Sequence, residues 1–171
     1  MLLAVGLNSG IYKLLLVLHI LCAIVGIGGV TLNAFYGLAA QRRKGPEALA
    51  IAQTNYDVSM IAEKFIYAVF PLGILLVLTS DDAWSFSDLW IWLSMLVYIA
   101  ALGISHGLVL PTARRMHTLM ADLVSRPPAP GGPPPEVAQL EALGKKIGMS
   151  STLLHVATVA LVALMVWKPA G

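Results

Sequence analysis

The chain has 171 residues, of which 58% are hydrophobic and only 12% are charged. Soluble domains are about 45–50% apolar and about 25% charged, so a folded core of this size cannot hide the apolar excess from water. The composition excludes a soluble enzyme, a nucleic-acid-binding protein and a disordered chain, and the single cysteine, Cys22, excludes a disulfide scaffold. The expected fold is therefore an all-α membrane bundle whose first partner is the lipid bilayer.

Four segments are apolar enough to cross a membrane, which takes about 20 residues in a helix. The spans of this single membrane domain are predicted at residues 11–40, 62–79, 89–110 and 147–167. A helical extension from Pro46 precedes the second span, because proline and the following glutamate suit a first helical turn. Pro71 is expected to kink that span, and Pro111 follows the end of the third.

The connection between spans three and four, residues 113–146, is the only long one. Its Pro- and Gly-rich run, residues 126–135, predicts an extended, mobile link. From Glu136 the apolar residues recur at helical spacing, which predicts a surface helix that continues into span four. A tether is one interpretation of this connection, and a docking motif for a partner is the other.

The basic residues predict the orientation. The first and third connections hold most of the Lys and Arg residues, whereas residues 80–88 hold three aspartates and neither Lys nor Arg. The positive-inside rule then places both termini outside the cytoplasm, in a multi-pass protein of the inner (cytoplasmic) membrane. Trp84, Trp90, Trp92 and Trp167 would form an aromatic belt at the outer interface.

Ionisable and amide side chains inside a span are costly and often mark function. Asn33 lies nine residues before Arg42, His106 eight before Arg114 and His155 nine after Lys146. At 1.5 Å per residue, all three share a depth roughly 12–14 Å from the basic end. His19 falls near the outer interface instead, and His117 lies beyond Arg115, where a solvated side chain is expected.

Two imidazoles at one depth are suited to ligate a single heme iron, so His106 and His155 are the predicted metal ligands. Asn33 would complete the cofactor site, and Ser151 or Thr158 would orient the His155 ring. The alternative is that these polar groups hydrogen-bond across helices and only fix the packing of the bundle.

One face of span one carries His19, Gly26 and Asn33, with Gly29 at its edge. Such small residues permit close helix packing, and they would equally admit a flat macrocycle or a quinone. Near the inner boundary, Glu63 has two interpretations: it snorkels with Lys64, or it serves a proton or substrate role with Tyr67 one turn away.

Two stretches carry a family resemblance. The run from Tyr12 to Leu21 with the following Gly26-Ile27-Gly28-Gly29, and the ending from Ala163 to Pro169, resemble a bacterial four-helix integral membrane protein family of unknown function. The first stretch is also distantly similar to copper-resistance D type proteins and to heme-containing protoporphyrinogen oxidases. Those relatives imply heme b or copper, with His19 as a ligand.

The expected function is a small membrane redox protein. It would bind heme b through two of His19, His106 and His155, and exchange electrons with a quinone or a membrane redox partner. One alternative is a non-enzymatic structural or assembly subunit, within a homo-oligomer or a larger complex. The other is a small-solute or ion carrier, with a path along the Gly-rich face of span one and Glu63.

Overall fold

A computed structural model describes residues 5–126 and 134–169. Within these ranges the chain is helical and has no strand, which confirms the all-α prediction. The elements are α1 (Gly10–Gln41), α2 (Gly45–Leu78), α3 (Leu89–Ile104), a π-helical turn (Ser105–Val109), α4 (Leu110–Ser125) and α5 (Pro135–Trp167). Four helical segments are long and apolar enough to span a membrane, because α3, the π turn and α4 form one continuous rod, Leu89–Ser125.

The helices form two antiparallel hairpins. In the first, α1 packs along α2, and this is the most extensive contact between elements. Ser9 caps α1 by accepting a hydrogen bond from the Tyr12 backbone N–H at 3.1 Å. Gly45 turns the chain into α2 with φ of +59°, a conformation that favours glycine, and Pro46 follows in the first helical turn. The helix then continues through Pro71.

The second hairpin pairs the rod of α3 and α4 with α5. The rod differs from the sequence prediction, because the helix passes Pro111 and ends only at Ser125. The backbone hydrogen-bond pattern of the helix changes just before the proline, where the Leu110 N–H donates to the Ser105 carbonyl, five residues back. Proline removes one donor from a helix but does not end it when the preceding turn has already rearranged its hydrogen bonds.

The fourth helix begins at Pro135 and includes the predicted amphipathic segment and the last span in one element. This confirms the helix expected from Glu136. The mobile link that was predicted over residues 126–135 lies mostly outside the described residues.

One end of the bundle is held together by a cluster that we call the tryptophan end, formed by Tyr12, Trp84, Trp90 and Lys168. The Trp84 indole N–H donates to the Tyr12 hydroxyl at 3.2 Å. Trp84 meets Trp90 edge to face at 5.4 Å, and the Lys168 ammonium lies 3.9 Å from the Trp84 ring centroid. The cluster joins both hairpins at this end, and the opposite end, with Arg42 and Arg114, is called the basic end.

Most apolar side chains face outward. Only 6–11% of the residues in each apolar window are buried inside the described chain. Large side chains such as Ile24, Phe35 and Val159 are more than half exposed. In water, each Å² of exposed apolar surface would cost about 25 cal/mol of free energy, so the fold requires a lipid environment.

Candidate functional site

A cavity of about 510 Å³ lies between the two hairpins and is lined by all four spanning segments. It extends from Tyr98 and Leu161, in the middle of the spans, to Gln41 and Met120 near the basic end. Its wall is mostly apolar, with a smaller set of polar side chains. This combination is typical of sites for largely apolar ligands, which a few polar groups hold in one orientation. The main polar side chains of the wall are Asn33, Asn55, Ser59, Glu63, Ser105 and His155.

His155 on α5 contributes an imidazole to the cavity wall. Its Nδ1 lies 2.6 Å from the Ser151 carbonyl oxygen, which can only accept a hydrogen bond. Nδ1 therefore carries the proton, and Nε2 keeps a free lone pair. The sequence had suggested the Ser151 side chain for this orienting role, whereas the structure assigns it to the backbone carbonyl one helical turn back.

His106 lies in the π turn and has other partners. Its Nε2 is 2.5 Å from the Tyr67 hydroxyl oxygen and 3.0 Å from a Glu63 carboxylate oxygen. Its Nδ1 is 2.9 Å from the Leu102 carbonyl oxygen. The side chain is 45% exposed and does not line the cavity that His155 lines. The structure thus directs the two imidazoles into different surroundings, although counting along the helices had suggested a facing pair.

Glu63 and Tyr67 lie one turn apart on α2, and the Tyr67 hydroxyl donates to the Glu63 carboxylate. Together with His106 they form a cluster that we call the Glu63–Tyr67–His106 triad. The interpretation of Glu63 as a snorkelling side chain beside Lys64 does not match these contacts, because its carboxylate points to α2 and π-turn partners. Tyr67 was the useful sequence signal, since residues four apart share a helix face.

Asn33 joins α1 to α2. Its side-chain oxygen accepts a hydrogen bond from the Ser59 hydroxyl at 2.9 Å, and both residues line the cavity. Nearby, the buried Asn55 side-chain oxygen receives no hydrogen bond from the described residues. Neither Ser59 nor Asn55 was predicted as a site residue, because a single hydroxyl or amide on a helical extension has no distinguishing sequence pattern.

His19 lies outside the cavity. Its ring packs against Gly73, where an added Cβ would be 3.4 Å from the ring carbon Cε1. Its Nδ1 is buried and has no hydrogen-bond partner among the described residues. Gly26 and Gly29 are both buried against α2 rather than against a cavity. His117, expected in solvent, is half-buried and lines the cavity, with its ring centroid 6.3 Å from that of Tyr56.

Of the predicted ligands, His155 fits a heme iron, because its Nε2 lone pair adjoins a cavity and its Nδ1–H is fixed by a carbonyl. His106 fits less well, since its Nε2 already meets two side chains. The described residues contain no group of three or more His, Cys, Asp or Glu residues suited to hold a metal ion. A bis-histidine iron site between His106 and His155 is therefore not the arrangement that these contacts favour.

The fold and this site define the class: a small all-α integral membrane protein with four spanning segments and a mostly apolar cavity between two hairpins. The family model described as "Predicted integral membrane protein (DUF2269)" matches residues 13–169, and the chain belongs to this family. This confirms the family resemblance noted in the sequence. No curated protein and no solved structure shows a significant match to the chain.

Proposed function

We propose that the chain is a redox protein of the inner membrane that holds one heme b in the cavity, with His155 as its axial ligand. The observation that carries this proposal is the His155 imidazole, whose Nδ1–H is bound to the Ser151 carbonyl at 2.6 Å beside a cavity of about 510 Å³. A histidine that ligates a metal normally donates its other N–H in this way, which fixes the ring and makes the ligating nitrogen more basic.

The surroundings of His155 support the same assignment. The mostly apolar wall would keep water from the ring, and Asn33 with Ser59 would border the bound group on the α1 and α2 side. The unpaired Asn55 oxygen is an acceptor for a polar edge of such a group. Heme b supplies one-electron transfer when bound, and the proposed electron partners are a quinone or a membrane redox protein.

Absorption spectroscopy tests the proposal. The purified full-length chain, titrated with hemin, is expected to develop a Soret band that shifts on reduction with dithionite. His155→Ala should lose this spectrum, because it removes the axial nitrogen. His106→Ala is the matched control and should keep it, since the His106 ring does not line the cavity.

Added imidazole should restore the spectrum to His155→Gly, because it would supply the missing nitrogen in the vacated space. The proposal would be overturned if the wild-type chain gives no Soret change beyond the spectrum of free hemin in this titration. It would also be overturned if His155→Ala binds heme as well as wild type does.

A second candidate is a non-enzymatic subunit of a membrane complex or homo-oligomer. The observation that favours it is the outward position of Tyr67 and His106, which are 41% and 45% exposed although they lie in spanning segments. Polar groups on a lipid-facing surface are costly, and a neighbouring protein chain would remove that cost. A colourless chain that migrates as a stable oligomer in native gels would favour this candidate over the heme protein.

A further inference from the structure

The Glu63–Tyr67–His106 triad contains more hydrogen-bond contacts than a simple ion pair would need. The three side chains approach one another pairwise: Tyr67 donates to Glu63, Tyr67 meets His106 at 2.5 Å, and His106 meets Glu63 at 3.0 Å. Each contact requires a proton on one of its two atoms, because two acceptors at such distances would repel. The number of protons in the triad can therefore be deduced.

The hydrogen bonds place two protons, one on His106 and one on the Tyr67 phenol. The His106 Nδ1 proton is given to the Leu102 carbonyl oxygen, and the phenol supplies one proton to one of its two neighbours. A neutral imidazole with a bare Nε2 beside an ionised carboxylate would place two acceptors 3.0 Å apart. The triad is therefore satisfied only when it holds one further proton, on either Nε2 of His106 or the carboxyl group of Glu63.

These two arrangements interconvert through Tyr67. The Glu63 O–H bond breaks as its proton passes to the phenol oxygen, and the phenol O–H bond breaks as its proton passes to Nε2. The products are a carboxylate and an imidazolium, the phenol is regenerated, and the net charge of the triad is unchanged. No oxidant or co-reactant is required.

The two ends of the triad face different surroundings. Glu63 lines the cavity and its side chain is 14% exposed, whereas His106 does not line the cavity and is 45% exposed. We propose that the triad is a proton-holding site that shares one proton between Glu63 and His106 and exchanges it with the cavity through Glu63. The π turn supports this role, because such turns occur frequently at functional sites and this one holds His106.

The other titratable groups that line the cavity with Glu63 come from every neighbouring element. They are Tyr36 on α1, Tyr56 on α2, Tyr98 on α3, His117 on α4 and His155 on α5. The Tyr98 hydroxyl donates to the Ile66 carbonyl at 2.8 Å, and His155 donates to Ser151. Among the described residues, none of these five groups hydrogen-bonds to the triad, so the shared proton belongs to three side chains alone.

Infrared and nitrogen-15 NMR spectroscopy on the full chain without added heme test the proposal. Over one range of pH, the carboxylic acid band of Glu63 and the imidazolium signal of His106 should both be partly present. At one fixed pH in this range, their fractions should sum to one proton, because the two groups share it. Glu63→Gln and His106→Ala assign the two signals.

Single substitutions in the triad test whether the proton is shared. In His106→Ala, measured at the pH of the wild-type spectrum, the carboxylic acid band of Glu63 should gain the share of the proton that His106 held. Tyr67→Phe should change the ratio of the two signals, because it removes the phenol proton from the triad, whereas Tyr98→Phe, the matched phenol outside the triad, should leave both signals as in wild type. A carboxylic acid band of Glu63 that is unchanged in His106→Ala, or a wild-type His106 that is fully imidazolium with no carboxylic acid band, would overturn the proposal. Neither outcome depends on heme binding.

Discussion

At the scale of single residues, two glycines determine how closely α1 and α2 approach. A Cβ added at Gly29 would lie 2.3 Å from the Ala62 Cβ, and one at Gly26 would lie 2.7 Å from the Ile66 side chain and 3.1 Å from its backbone nitrogen. In lipid, such close backbone approach supplies the packing energy that the hydrophobic effect no longer provides. The stripe of small residues in span one is therefore a helix contact along these two positions.

Gly29→Ala should destabilise the protein by about 1–3 kcal/mol, the usual cost of adding a methyl group to a filled contact. Gly28→Ala is the matched control, because a Cβ there has nothing within 4 Å. Replacing this neighbouring glycine should be neutral or slightly stabilising, since alanine favours the helix. Unfolding in mixed detergent micelles measures both variants, and equal stability of the two would contradict the assigned contact.

The sequence could predict which residue types lie in the spans but not which way each side chain points. Counting from basic anchors placed Asn33, His106 and His155 at one depth, and Asn33 and His155 do share the cavity wall. His106 does not, because the π turn, with its i to i+5 hydrogen bond, changes the rotation of the helix around this residue. No residue pattern in Ser105–Val109 indicates a π turn, so the direction of the His106 ring could not be predicted from the sequence.

At the scale of elements, the same turn explains why the third helix was predicted too short. Pro111 is a strong signal for a helix end in a sequence, and the basic pair that follows it is typical of a membrane boundary. Here the proline and the basic pair both lie within one continuous helix, because the membrane span ends at this point and the helix continues to Ser125. The predicted elements were therefore correct in number and type, and the membrane boundary was mistaken for a helix boundary.

An ion pair connects the end of α4 to the start of α5. Residues 127–133, between them in the sequence, lie outside the described chain. Arg126 donates to Glu136 at 2.9 Å and also pairs with Asp122. The backbone N–H of Glu136 itself, followed by the Arg126 guanidinium, lowers the pKa of this carboxyl below its ordinary value of 4.5. Hydrogen bonding to Glu136, with the charge of Asp122, raises the pKa of Arg126. The pair therefore fixes the start of α5 near the end of α4.

Acidification should release this contact. Because the pKa of Glu136 is lowered in the folded chain, its stabilising contribution is complete above its ordinary value and is lost as the pH falls through the lowered one. Amide hydrogen exchange in the first turn of α5, corrected for its intrinsic pH dependence, should therefore become faster below about pH 4.5. Glu136→Gln should exchange faster than wild type above about pH 4.5, match it in acid and lose the acid step. Glu141→Gln is the control and should keep it, and an acid step that persists in Glu136→Gln would rule out this cause.

At the scale of the whole molecule, the two hairpins are joined at one end and enclose the cavity toward the other. At the tryptophan end, Trp84 in the connection contacts Tyr12 of the first hairpin and Trp90 and Lys168 of the second. Toward the basic end, the space between the hairpins is lined by small and polar side chains such as Gly148, Ser151 and Ala113. These residues leave room that larger apolar residues would fill, so the cavity follows from the composition of the facing helices.

This arrangement makes the orientation in the membrane decisive for function, because it determines which compartment adjoins the cavity. The connection at the tryptophan end carries no Lys or Arg, whereas the basic end carries Arg42, Arg43 and Arg114. Since Lys and Arg are retained in the cytoplasm during insertion, the basic end and the cavity that extends toward it should face the cytoplasm. A cavity ligand or proton would then be exchanged on that side.

Cysteine labelling tests this orientation. In a Cys22→Ala background, which removes the only native thiol, Ser85→Cys would place a thiol in the connection at the tryptophan end and Ser125→Cys one at the end of α4. A membrane-impermeant maleimide added to intact spheroplasts should label Ser85→Cys at once and Ser125→Cys only after permeabilisation. Both positions are exposed and polar, so a difference in labelling reports the compartment rather than burial. The reverse pattern would place the basic end and its cavity outside the cytoplasm, so the cavity would exchange its ligand or proton with the opposite compartment.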